Sequence, residues 1–299
     1  MARIVITGSS GFLGGALVGS WRADGHDIVR LVRRTPSAPD ERRWDPDAGT
    51  VETGAVEGAD AVVHLAAPGL GDRPWTPAYK RELLASRVRA TTTIARAAAH
   101  AGVPTLISQS GSSYYGNHGD TVLDESHPPG SGYVAEIARR WEEATASAQE
   151  AGVRVVCTRT GVVVSARGGA YQRRLLPLFK LGLGGRLGSG RQWWSWIALD
   201  DYVSAVRFVA ERPDISGGVN LTAPEPVTNA EMTKVMGQLL HRPTVFKAPE
   251  WGLRLMLGDF GRDLALGQRV IPRRLLDAGF QFRHRTFESA LRDTLGEAG

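Results

Sequence analysis

The chain has 299 residues, 42% of them hydrophobic and 22% charged, with a formal net charge of +5. That length holds one large α/β domain or a domain with an attached lobe, and the composition excludes a disordered, fibrous or membrane-spanning protein. Arginine carries the positive charge, with lysine only at positions 80, 180, 234 and 247; no basic tract interleaves with aromatics, so nucleic acid is not an expected partner.

A β-branched strand over residues 4–6 runs straight into Gly8-x-x-Gly11-x-x-Gly14, and a helical stretch over 16–22 follows. A glycine turn between a strand and a helix is a phosphate cradle: Gly8 permits the tight turn, Gly11 lets the backbone approach a pyrophosphate, and Gly14 lets helix and strand pack. The expected cofactor contacts here are Gly8, Ser10, Gly11, Phe12, Leu13 and Gly14. No signal peptide precedes the strand, and the single Cys157 sits in an apolar strand-like run. Both features lead us to expect a cytoplasmic protein.

Further strands are predicted over 28–32, 61–65, 105–108 and 154–158, separated by helical stretches over 80–101 and 134–151. Such alternation predicts a doubly wound parallel sheet of Rossmann type, with ligand at the carboxyl ends of the strands. The second strand ends in Arg33 and Arg34, where an acidic residue would grip the ribose diol of NAD. Two guanidinium groups suit a 2′-phosphate, so the expected cofactor is NADP(H). Leu65, Ala66 and Ala67, at the end of the third strand, let the nucleotide lie against the backbone. Asp60 is either a turn residue or a group near the adenine, and His64 reads as a core histidine.

After residue 160 the pattern loosens. Gly168, Gly169 and the run 182–190 are loop-like, a strand is predicted over 219–222, and Thr228 with Glu231 forms a capping box for a helix over Asn229–Leu240. Short helices are predicted over 273–278 and 286–295. We therefore expect a dinucleotide-binding core over 1–165 and a smaller mixed substrate lobe over 166–299, some segments of which return to the core. The seven histidines are dispersed, and no metal is expected.

Several motifs in order resemble the extended short-chain dehydrogenase/reductase superfamily: Thr7-Gly8-x-x-Gly11-x-x-Gly14, His64-Leu65-Ala66-Ala67, and Ser108-x-Ser110 followed by Tyr115-Gly116. Closer still is its epimerase-family, SulA-type branch, which the chain resembles at Trp75-Thr76-Pro77, Ser86-Arg87-Val88, Arg159-Thr160-Gly161, Gly188-Ser189-Gly190-Arg191-Gln192 and Ala223-Pro224-Glu225-Pro226. The likeness extends to Gly267-Gln268-Arg269 and Pro272 and so covers essentially the whole chain. It implies a nucleotide-sugar-epimerase-like fold, a homodimer, and a hydroxyl at Ser110 that polarises the substrate oxygen.

The superfamily's Tyr-x-x-x-Lys is missing. Four residues after Tyr133 stands Ile137, and the register one residue earlier pairs Gly132 with Glu136. Without a neighbouring ammonium a tyrosine keeps a pKa near 10. Tyr115 or Tyr133 is expected to handle the proton, with Tyr114 and a Lys80 ammonium as substitutes. We place Ser108 and Arg159 on the cofactor side, and Arg191, Gln192 and Trp194 on the substrate side, where a guanidinium clamps an anion and an indole stacks on a ring. Two functions remain open: an NADP(H)-dependent oxidoreductase or epimerase-like enzyme on a small polar or nucleotide-sugar-like substrate, or a dinucleotide-sensing regulator that has lost its chemistry.

Overall fold

The computed structural model describes residues 1–248 and 267–296. Eight strands make its central sheet: β1 (Arg3–Thr7), β2 (Asp27–Val32), β3 (Glu41–Asp45), β4 (Thr50–Val51), β5 (Ala61–His64), β6 (Thr105–Gly111), β7 (Arg154–Thr160) and β8 (Gly217–Leu221). The order across the sheet is β8-β7-β6-β5-β1-β2-β3-β4, parallel except for the final β3–β4 pair. From β1 the chain winds one way to β2 and β3, and from β5 it winds the other way. This reversal between β1 and β5 opens a crevice at their carboxyl ends.

Strand periodicity divides the core into two layers. Ile4 and Ile6 point to one face and pack with Leu17, Val18 and Trp21 of α1 (Phe12–Ala23) and with Tyr202 and Val206 of a helix over Leu199–Glu211. Val5, between them, points to the other face, toward Ile94, Ala95 and Ala98 of α2 (Pro77–His100). Thr76 caps α2 by accepting from the Tyr79 N–H, with Pro77 at the first helical position, where the lack of an N–H costs nothing. The capping box expected at Thr228 and Glu231 is formed in both directions, at 3.2 and 2.7 Å.

The sequence reading differs from the fold at several places, one of them the loop-like run 182–190, which holds a short strand over Gly185–Leu187. The single helix expected over 134–151 is two, α3 (Tyr133–Glu143) and α4 (Ala146–Glu150), interrupted where the Thr145 hydroxyl donates to the Glu142 carbonyl. The strand β3 was not expected, because Glu41-Arg42-Arg43-Trp44-Asp45 carries only Trp44 as an apolar anchor. Beyond β7 a short strand over Val162–Val164 pairs with Trp196–Ala198. A third cluster, containing Phe179, Trp196, Met232, Met236 and Phe287, forms the body of the smaller part. The helix Leu199–Glu211 and strand β8 rejoin the main sheet, so the chain enters the smaller part, comes back, and leaves again.

Candidate active site

The glycine turn lies in the crevice between β1 and β5. Gly8 has φ +69°, and a Cβ there would meet the Ala66 nitrogen at 2.9 Å; a Cβ on Gly14 would meet the Gly8 carbonyl oxygen at 2.2 Å. Gly11 caps α1 with no side-chain hydrogen bond, and the first turn holds no acidic residue. The N–H groups and positive dipole end of α1 are therefore left for an anion. Ser10 and Gly11 are exposed, and Phe12 and Leu13 are half-buried. Gly168 and Gly169 are drawn against the Phe12 ring. The Thr7 hydroxyl accepts from the N–H groups of Leu65 and Ala66 at 3.1 and 3.3 Å, which joins the two loops, and Ala67 is exposed beside them. His64 sits below with Nδ1 2.8 Å from the same hydroxyl; burial pushes its pKa down to about 3 and keeps it neutral.

At the end of β2, Arg33 is exposed and makes no hydrogen bond or ion pair among the described residues. Arg34 is held by Glu41 at 2.8 and 2.6 Å and by the Ser37 hydroxyl at 2.8 Å. The hydrogen bonds from Arg34 and from the Ser37 N–H lower the Glu41 pKa to about 2. Asp40 is tied to Arg30 and Arg22. Both carboxylates near this end are thus committed to arginines and are not available to a ribose diol. Asp60 lies at the opposite edge of the sheet, where it accepts from the Arg3 N–H at 2.7 Å. It is a turn residue, because a group at the amino end of β5 cannot reach an adenine at the carboxyl end.

Next to the crevice is a cavity of about 330 Å³. Its floor is the end of β6 with Ser110, Gly111 and Ser112, and one wall is the apolar face of α3, with Val134, Ile137, Ala138 and Trp141 at helical spacing. The opposite wall includes Thr160 and Trp194. Of the three residues expected to meet substrate, Trp194 lines this cavity. Arg191 does not: its side chain is 83% exposed, 3.8 Å from Asp120. Gln192 donates to the Leu187 carbonyl at 2.9 Å and closes a turn.

The hydroxyls expected to do chemistry are all bonded within the chain. Ser110 donates to Glu142 Oε1 at 2.8 Å. Glu142 is gripped by Nε and Nη2 of Arg159, both at 2.8 Å. The Arg159 Nη1 donates to the Tyr115 hydroxyl at 2.9 Å, which in turn donates to Asn220 Oδ1 at 2.8 Å. Asn220 then donates to the Ile271 carbonyl at 2.9 Å. Burial of Arg159 alone would lower its pKa, but the hydrogen bonds and charge of Glu142 outweigh this and raise it. Burial pushes Tyr115 up to about 12, with Arg159 opposing. Tyr115 is fully buried and lies outside the cavity lining, and Arg159 faces Glu142 rather than the glycine turn. The Tyr114 ring is stacked on the Arg159 guanidinium at 3.4 Å.

Tyr133 donates its hydroxyl to the Lys80 carbonyl, and burial raises its pKa. The Lys80 ammonium lies over the Tyr133 and Trp75 rings rather than beside a hydroxyl poised for proton transfer. The Ser108 hydroxyl is buried in the sheet with no partner among the described residues. Cys157 is fully buried, which drives its thiol pKa up and keeps it inert. The sequence reading missed Glu142 and Arg87: the first lies behind Ser110, and the second borders the cavity from α2. The spacing Tyr133-x-x-x-Ile137 marked the chemistry as atypical but gave no sign of either residue.

A doubly wound sheet with a glycine turn at its switch point and a cavity over the neighbouring strand ends is the architecture of the short-chain dehydrogenase/reductase class. Within that class the chain belongs to the NAD dependent epimerase/dehydratase family, whose model matches residues 4–221. A domain of unknown function (DUF1731) matches residues 248–294. The chain is 46% identical over 291 residues to an epimerase family protein of Mycobacterium bovis, covering 97% of this chain and 96% of that one. It is 36% identical to a chloroplastic epimerase family protein of Arabidopsis thaliana, with 97% and 85% covered. The crystal structure of human epimerase family protein SDR39U1 with NADPH superposes with a TM-score of 0.88 at 30% identity, over 98% of this chain and 99% of that one. Among the described residues no helix is long and apolar enough to cross a membrane.

Proposed function

We propose that this chain binds NADP(H) in the β1–β5 crevice and carries out oxidoreductase or epimerase-like chemistry on a small polar substrate in the adjoining cavity. The observation that carries the cofactor reading is the cradle itself. Gly8 and Gly14 have no room for a Cβ, and the first turn of α1 has neither a side-chain cap nor an acidic residue. An anion completes such a turn. NADP(H) is favoured over NAD(H) because Arg33 is unpaired while Asp40 and Glu41 are both engaged, and the human relative was crystallised with NADPH. In this reading the pyrophosphate meets Ser10 to Gly14 and the adenosine side meets Leu65, Ala66 and Ala67. The stretch 166–299 contributes the substrate wall that contains Trp194.

When bound, the nicotinamide supplies a hydride acceptor or donor for the substrate carbon. Ser110 manages the oxygen. Its own proton is directed to Glu142, so the hydroxyl offers lone pairs and accepts from a substrate O–H. As that O–H becomes a carbonyl, its proton moves to Ser110 Oγ and the Ser110 proton moves to Glu142. In reduction the same two protons move back. Tyr115 and Tyr133 take no part in this scheme, because neither lines the cavity and each hydroxyl donates elsewhere in the protein.

A fluorescence titration with NADPH and NADH tests the reading. We expect NADPH to bind at least tenfold more tightly, and Arg33→Ser to remove that preference while leaving NADH binding unchanged, as the loss of one charge-assisted phosphate contact predicts. Equal affinities for the two, or none, would overturn it. The commitment of both tyrosines favours a second reading, a dinucleotide-responsive binding protein. NADPH binding with no turnover of any carbonyl or nucleotide-sugar panel is its signature.

A further inference from the structure

Arg87 is a buried cation with no carboxylate in hydrogen-bond or ion-pair contact among the described residues, although Asp72 acts on it through its charge from farther away. It projects from α2 to the border of the cavity and is 4% exposed. Its Nη1 donates to the Leu83 carbonyl at 2.9 Å and its Nη2 to the Pro68 carbonyl at 2.7 Å, and it has no carboxylate partner among the described residues. A guanidinium has five N–H donors in a planar fork, so these two bonds leave three. One of them, Nε–H, is buried with nothing to receive it. Burial lowers the pKa to about 10, which leaves the group charged at neutral pH. An uncompensated buried charge is costly, and proteins retain one where something pairs it.

A second orphan stands next to the first. Trp141, on α3, borders the same cavity, is 7% exposed, and its indole Nε1–H also lacks a partner. The Arg87 guanidinium sits over the Trp141 ring, 4.9 Å from the centroid. Two residues that each carry an unmatched donor, one of them a cation, therefore stand against each other at the border of the cavity. A ligand that satisfies both must bring two acceptor atoms and a negative charge. The surrounding wall, Val134, Ile137 and Ala138, is aliphatic and accepts an apolar body.

We propose that Arg87 and Trp141 form a carboxylate-binding subsite, and that the substrate of this cavity is a small carboxylic acid whose anion docks there with its apolar part against α3. This deepens, and rests on, the reading of the cavity as the substrate site. It also moves the anion clamp from the exposed Arg191, outside the cavity, to a buried arginine at the cavity border. Arg87 is a binding residue in this account and has no part in proton transfer.

The test uses the full chain with benzoate as probe and benzamide as its neutral isostere, read by tryptophan fluorescence, since Trp141 and Trp194 line the cavity. We expect the wild type to bind benzoate at least tenfold more tightly than benzamide. Arg87→Met should abolish that difference, and Trp141→Phe should reduce benzoate binding several-fold while leaving benzamide unchanged. Equal binding of the two by the wild type, or none, overturns the proposal without any need for the variants to fold. So does a preference for benzoate that persists in Arg87→Met. NADPH titration of the same samples separates the two ideas. NADPH binding without selective benzoate binding keeps the cofactor reading and sinks the subsite, and the reverse result does the opposite.

Discussion

The two ends of the crevice treat their polar groups in opposite ways. At the nucleotide end the chain leaves donors open: the first turn of α1 has no side-chain cap, and Arg33 has no partner among the described residues. At the other end Ser110, Tyr115, Tyr133, Glu142 and Arg159 are bonded to one another or to backbone carbonyls. Open donors at a site cost stability unless a ligand meets them, whereas internally bonded ones stabilise the fold. A residue type that suggests chemistry in the sequence is thus a weak guide until its partner is known. Arg87 and Trp141 stand out at the far end because both carry an unmatched donor and both border the cavity.

The largest effect expected from breaking this contrast comes from the far end. Glu142→Ala removes both carboxylate acceptors of a buried guanidinium whose side chain is 7% exposed, leaving it the Tyr115 hydroxyl, and frees the Ser110 proton. Removal of one partner of a buried ion pair costs about 3–5 kcal/mol. Chemical denaturation should show a loss in that range. A change below about 1 kcal/mol would mean that the pair is solvated and that this end is no more satisfied than the other. The nucleotide end should respond in binding more than in stability. Gly14→Ala forces a methyl to within 2.2 Å of the Gly8 carbonyl oxygen, so the turn must open. We expect NADPH affinity to fall about a hundredfold, together with an overpacking cost of about 1–3 kcal/mol. Unchanged NADPH binding by a folded Gly14→Ala variant would remove the cradle from the argument.

Much of this molecule was legible in the sequence. Short apolar runs alternating with Ala-rich helical stretches placed the sheet, and glycines between a strand and a helix marked the switch point before any fold was drawn. Strand β3 was hidden because a polar edge region with only Trp44 as anchor has no hydrophobic alternation to read. The Ser110 end of the crevice was hidden for a different reason. Ser110, Glu142 and Arg159 are separated by 32 and 17 positions in the chain and meet only because β6, α3 and β7 end side by side. Arg87 stood in the Ser86-Arg87-Val88 match to the epimerase-family branch without a role, and no pattern in the chain distinguishes a buried guanidinium from a solvated one. Its meaning comes from what surrounds it.

The smallest effect sharpens the comparison most, because it concerns the residue that family resemblance would choose first. Tyr133 occupies the start of α3, as a proton-transferring tyrosine would, yet its hydroxyl reaches back to the Lys80 carbonyl and its ring lies against Trp75 at 5.3 Å. If that is its whole role, Tyr133→Phe deletes one neutral hydrogen bond and keeps the aromatic contact. The cost is then about 1 kcal/mol of stability, and NADPH affinity does not change. Any turnover found in the wild type should survive within about twofold, with its pH profile unmoved. A drop of a hundredfold or more with an altered pH profile would return Tyr133 to the chemistry. The committed end of the crevice would then include a hydroxyl that leaves its backbone partner when substrate arrives.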